Sequence, residues 1–144
     1  MDFFGLVDAI RDYCTAEGIY FIYGNDAYSN ALADSNTYAE NDRILIADFT
    51  VNPVITGGQV VSMTYQGIMS LGQKFEDTTV SSLEEKPIQK YDRRLKDLST
   101  ELAGIIAELS CDNELDVTNL SFRFDLNKFD LNADFVAAIL TFEQ

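Results

Sequence analysis

Apolar residues recur at Ile88, Tyr91, Leu95, Leu98, Leu102, Ile105 and Leu109, in steps of three and four. That spacing lays one stripe along an α-helix and predicts a long amphipathic helix over residues 83–110. Ser82-Leu83-Glu84-Glu85 has the form of a capping box, but Pro87 is comfortable only in a first turn. The helix therefore begins near residue 86, or its first turn is loose. A coiled-coil seam would use the same spacing; packing on the sheet of its own domain is the preferred reading. A second helical stripe, Phe3, Leu6, Val7, Ile10, Tyr13 and Cys14, predicts a helix over residues 2–16, with Asp2 as N-cap and Gly18 as the stop.

The rest of the pattern has the period of strands. Ile19–Tyr23 is β-branched and aromatic throughout and predicts a short buried strand. Arg43–Val51 predicts a central strand, and residues 59–72 alternate through Val61, Met63, Tyr65, Ile68 or Met69, and Leu71. The region from Asn52-Pro53 to Gly57-Gly58 joins these two strands as a turn. Gly67 interrupts the alternation, as at a bulge or a close approach of backbones. Leu120–Leu126 alternates strictly, Phe135–Phe142 is a second apolar run, and a polar turn between them makes a final hairpin. The expected class is α+β: a mostly antiparallel sheet of about five strands packed against an N-terminal helix and one long amphipathic helix. At 144 residues the expectation is a single domain over 1–144. Residues 24–41, rich in Asn, Asp, Ser and Ala, form a long loop, expected to be ordered and held by neighbours; Asn25, Tyr28 and Tyr38 in it are candidate contact residues.

Composition narrows the function classes. The net charge of −14 argues against wrapping nucleic acid, which takes Lys and Arg against phosphates. It suits a soluble acidic surface, or a channel wall to which DNA does not stick. Half of the ten basic residues cluster at Lys86, Lys90, Arg93, Arg94 and Lys96. This strip is read as a solvated helix face paired at i,i+4 with Asp92 and Asp97, as a docking strip for an acidic neighbour, including a second copy, or, last, as a nucleic-acid contact. There is no C-x-x-C motif and the two cysteines, Cys14 and Cys111, are expected to be reduced; a disulfide would require them to meet in space. No signal peptide and no run of about 20 apolar residues is present, so no membrane partner is expected.

Histidine is absent, which removes Ser-His-Asp and Cys-His sites and most zinc sites. No Walker loop, Gly-x-Gly-x-x-Gly, Gly-x-Ser-x-Gly or Ser-x-x-Lys occurs. With 24 carboxylates, any acid/base pair picked from the sequence is arbitrary. Asp130-Leu131-Asn132-Ala133-Asp134 starts like a calcium loop, but Phe135 stands where Gly is needed and Thr141 where Glu is. Turn chemistry is the preferred reading there, and also for Asp112, Glu114 and Asp116. No catalytic residue, metal ligand or cofactor is assigned.

The helix Asp2–Ala16, the strand pair Arg43–Val51 and Gln59–Gly72, the helix Leu83–Leu109 and the hairpin from Asp125 to Phe142 follow one another in an order that resembles the tail-terminator, tail-completion and neck (head-tail connector) ring proteins of tailed phages. The resemblance is of element order and spacing over most of the chain. It implies a non-enzymatic structural subunit of a virion neck or tail ring, homo-oligomeric, adjoining other neck, tail or portal proteins, assembled in the host cytoplasm and enclosing a channel for the genome. The candidate interface residues are Asn25, Tyr28, Tyr38, Lys86, Lys90, Arg93 and Arg94. The rival reading is a small cytosolic adaptor that holds a partner with the 24–41 loop; a carboxylate or divalent-metal enzyme is the third.

Overall fold

In a computed structural model of the chain, the structure describes residues 5–24, 42–74, 87–126 and 133–144. The elements are α1 (Gly5–Glu17), β1 (Tyr20–Tyr23), β2 (Arg43–Thr56), β3 (Gln59–Lys74), the long helix α2, β4 (Asp116–Asp125) and β5 (Ala133–Glu143). α2 runs in three parts: α-helix Pro87–Lys90, a π-helical stretch Tyr91–Leu95, and α-helix Lys96–Asp112. The fold is α+β. Five strands form one sheet in the order β1-β2-β3-β5-β4. β1 runs parallel to β2, and every other neighbouring pair is antiparallel.

Alternation along the strands assigns the two faces. Leu45, Ala47, Phe49, Met63, Tyr65, Met69, Leu71, Val136, Ala138, Leu140 and Phe142 meet Leu6, Ile10 and Cys14 of α1 and Leu95, Leu98, Leu102, Ile105, Ile106 and Leu109 of α2 in one core. The α2 stripe from Leu95 onward thus packs on the sheet of its own chain. Phe49 and Phe142 meet edge to face, with centroids 6.0 Å apart. The opposite face carries a smaller cluster of Ile44, Ile46, Ala133 and Phe135, with Ile22 against it. β5 lies between two strands and is buried on both faces, which is why its sequence is a continuous apolar run rather than an alternation.

Several local expectations agree with the structure. Gly18 follows α1 with φ +70°, and the Ile19 amide donates back to the Cys14 carbonyl (2.9 Å), closing the helix end. Gly67 is a close approach: a Cβ there would run into the Asp48 carbonyl. Both cysteines are free thiols, Cys14 buried and Cys111 exposed.

Others are corrected. The β2–β3 turn is Gly57-Gly58 alone, with φ +60° and +78°, and the strands continue up to it from both sides. Two successive positive φ angles make a tight two-residue hairpin loop that two glycines adopt without strain. Asn52 and Pro53 are inside β2, paired with Thr64 and Met63. Pro is tolerated because β1 pairs with β2 only over Ile44–Ala47, and no other strand among the described residues pairs with that edge of β2 further along. β1 is an edge strand, half-buried with Tyr20 exposed, rather than buried. β4 begins at Asp116, earlier than its alternation suggested, and a register shift lies between Thr118 and Ser121, where Asn119 has φ 55°. The 24–41 loop, apart from its first residue, lies outside the described residues.

Candidate functional site

The first site-bearing feature is the helix segment that carries the basic residues. An α-helix places Tyr91 one turn before Leu95, under the apolar stripe. A π-turn takes one more residue, so Lys90 occupies that place instead. Ile88 and Tyr91 are accordingly exposed, while Lys90 (1%) and Arg94 (7%) are buried. Both reach Asp134 at the start of β5, which has no solvent exposure. Lys90 Nζ donates to Oδ1 at 3.0 Å; Arg94 donates to Oδ2 through Nε at 2.9 Å and Nη2 at 2.8 Å.

This geometry revises two sequence readings. Lys90 and Arg94 are not part of a solvated strip: their acid partner is Asp134, far away in sequence, rather than Asp92 or Asp97 on the helix, which are exposed. A protomer surface that docks through Lys90 and Arg94 would first have to uncover a buried ion cluster. Asp134 in turn has both carboxylate oxygens engaged by cations, which is the wrong electrostatic setting for a calcium ligand. Among the described residues, no three His, Cys, Asp or Glu side chains are grouped to hold a metal ion. Asn25, Tyr28, Tyr38, Lys86, Asp130 and Asn132 lie outside the described residues, as does the side chain of Arg93.

The second feature is a β-arm. β5 pairs with β3 only from Thr64 to Lys74, and β1 pairs with β2 only up to Ala47. From Asn52 through the Gly57-Gly58 turn to Ser62, the β2–β3 hairpin has no strand partner but itself among the described residues; the Met63 carbonyl already accepts from the Gln144 amide at 3.1 Å. Its tip is apolar and exposed: Val54 51%, Ile55 61%, Val60 45% and Val61 58%. No charged residue occurs between Asp48 and Lys74, in a chain of net charge −14. Pro53, which offers no N–H to the open edge of β2, and the register shift between Val54 and Ile55 are features that blunt a free edge against indiscriminate strand pairing.

The third feature is a ledge beside the edge strand β4. Leu120, Phe122 and Phe124 occupy alternate positions and are each more than 40% exposed. Phe122 and Phe124 pair with Ala138 and Val136, so they extend the helix-side face of the sheet beyond the cover of the helices. Tyr91, turned outward by the π-turn, meets Phe124 with ring centroids 6.2 Å apart. Scattered exposed apolar residues are ordinary, whereas a contiguous patch marks an interaction surface. Arm and ledge were not singled out in the sequence. The uncharged run from Phe49 to Gln73 signals the arm; the alternation of Leu120–Phe124 was visible, but not that its apolar side stays outside the core.

Burial pushes the Cys14 thiol up to about 12, which makes it an inert core residue. Tyr13 is also raised, first by burial and then by Glu108, Glu17 and Glu101. Among the described residues no helix is long and apolar enough to cross a membrane. No protein-family model matches the chain, and no curated protein matches it.

Proposed function

We propose that this protein is a non-enzymatic structural subunit that assembles with copies of itself into a ring, of the kind found at the neck or tail of a tailed-phage virion. The observation that carries the assembly reading is the uncharged β-arm, which exposes four aliphatic side chains at its tip. Keeping such a tip in water costs free energy, and burying it in a partner lowers the free energy. The element order carries the phage context: α1, β1, a long hairpin, α2 and a final β4–β5 pair run in the sequence expected of the tail-terminator and connector rings. An acidic subunit also suits a channel that genome DNA traverses without adhering.

The salt dependence of assembly follows from the same geometry. If a basic strip docked on an acidic surface, salt would weaken association. With Lys90 and Arg94 buried on Asp134, copies of net charge −14 meet through uncharged surfaces and repel elsewhere. Screening that repulsion promotes assembly. Native mass spectrometry and light scattering across low and moderate salt, repeated with co-purifying virion proteins, test the proposal. The expected result is a closed multi-subunit species that grows with ionic strength. A monomer at every salt concentration that enters no larger assembly refutes it.

A further inference from the structure

We infer that the arm tip of one copy seats on the β4 ledge of the next, so that the face of the tip carrying the cross-strand pair Ile55 and Val60 packs against Tyr91, Leu120, Phe122 and Phe124 in a head-to-tail contact. This rests on the self-assembly reading and names the two surfaces that carry it.

The strand registers show why the contact is between copies. Phe122 is level with Ala138, and Ala138 with Met69. Val60 lies nine positions before Met69 along β3 (69 − 60), hence roughly 30 Å away at the rise of a strand. The arm leaves the sheet at the end where β4 begins, whereas Phe122 and Phe124 sit toward the other end. A straight ribbon cannot fold its tip back over that distance, so the tip and the ledge of one chain stay apart. Two different patches on one chain give a heterologous contact, the kind that generates rings when the rotation closes.

Charge selects a second copy as the occupant. Two copies at −14 each approach at least cost where neither surface carries charge. The arm has none between Asp48 and Lys74. The ledge side chains alternate with Ser121 and Arg123, which point to the other face of β4. Shape agrees as well: a narrow aliphatic tip meets an open aromatic shelf of Phe122, Phe124 and Tyr91. Four side chains at a tip cover less than the roughly 800 Å² per partner of a standard interface. A lone contact is thus weak, and two per subunit in a closed ring hold together.

The test uses single-cysteine pairs in a Cys111→Ser background, with Cys14 buried and left in place. Ile55→Cys and Phe122→Cys proteins are oxidised separately and mixed. A disulfide-linked dimer that forms in the mixture, and in neither protein alone, supports the contact. A second arm uses Ile55→Asp, at a site exposed in the protomer, with circular dichroism to show that the fold is intact. Its half-assembly concentration should rise by roughly tenfold or more, the effect of a charge in an interface centre. Rings that form at the wild-type concentration with Ile55→Asp, with no mixed cross-link, overturn the arm-to-ledge contact and leave self-assembly standing. A dimer linked through Ile55→Cys alone overturns it in favour of tip-to-tip pairing. A wild-type chain that stays monomeric and gives no cross-link overturns both.

Discussion

Replacing Asp134 by Asn keeps the shape of the side chain and removes one buried negative charge. Asp134 has no solvent exposure, and it accepts from Lys90 Nζ at 3.0 Å and from Arg94 Nη2 at 2.8 Å. Without the carboxylate, the two cations are still held out of water beneath the π-turn. Breaking a buried pair from one side costs about 3–5 kcal/mol, because buried charge loses the carboxylate that faces it. Against a typical total stability of about 5–15 kcal/mol, that is a large fraction. At about 2–4 °C per kcal/mol for a domain of this size, the melting temperature should fall by roughly 6–20 °C. Urea denaturation followed by far-ultraviolet circular dichroism measures the loss directly. Asp8→Asn is the internal control: Asp8 pairs with Arg11 at 2.9 Å, but with side chains 52% and 63% exposed. Such an exposed pair contributes about 0.2–1 kcal/mol. A double-mutant cycle with Arg94→Met should show strong coupling, since Arg94 and Asp134 touch. If Asp134→Asn costs no more than Asp8→Asn, or if the cycle is additive, the cluster does not hold the start of α2 onto β5 and the reasoning fails.

Gly72 lies under the Phe135 ring, which fills the space a Cβ would take; Gly72→Ala should cost about 1–3 kcal/mol by overpacking, and Phe135→Leu in the same chain should recover part of it in a thermal melt. Only one thiol should react promptly with a disulfide reagent at pH 8, the exposed Cys111, with Cys14 reacting after unfolding; prompt labelling of both would contradict the burial of Cys14. Because the Cys14 thiol is raised to about 12 from 9.0, the folded state holds that proton more tightly than the unfolded chain. Its contribution to stability is complete below pH 9 and declines from there toward pH 12, so Cys14→Ala should flatten the alkaline limb of a stability profile. Replacing Gly57-Gly58 with Ala-Ala puts side chains at φ +60° and +78° and, at about 1–2 kcal/mol for each, should destabilise the arm by about 2–4 kcal/mol, read as faster amide exchange at the tip.

The helical stripe from Leu95 to Leu109 and the apolar runs of β2, β3 and β5 were legible in the chain because burial on a regular element imposes a period that side chains must follow. Gly18 and Gly67 were legible for a similar reason: each answers a local backbone demand. The order of those elements sufficed for the α+β class and for a sheet of mostly antiparallel strands. Where the stripe broke down is equally instructive. Ile88 and Tyr91 continue the spacing of Leu95, yet they are outside and Lys90 and Arg94 are inside. One extra residue in a helical turn moved the face, and what holds it there is a carboxylate at Asp134, forty residues beyond Arg94. No window on the sequence contains both partners.

The tertiary structure alone decided which apolar residues stay in water. Leu120, Phe122 and Phe124 alternate as a core-facing strand does, and Val60 and Val61 are as apolar as Leu71 and Val136. Their exposure depends on where neighbouring strands stop: β1 at Tyr23 opposite Ala47, β5 at Glu143 opposite Thr64, and the helices short of the β4 edge. A hydrophobic period fixes which side of an element seeks cover. Whether cover is there depends on the lengths and packing of other elements, and a face left without it is where a second molecule can bind.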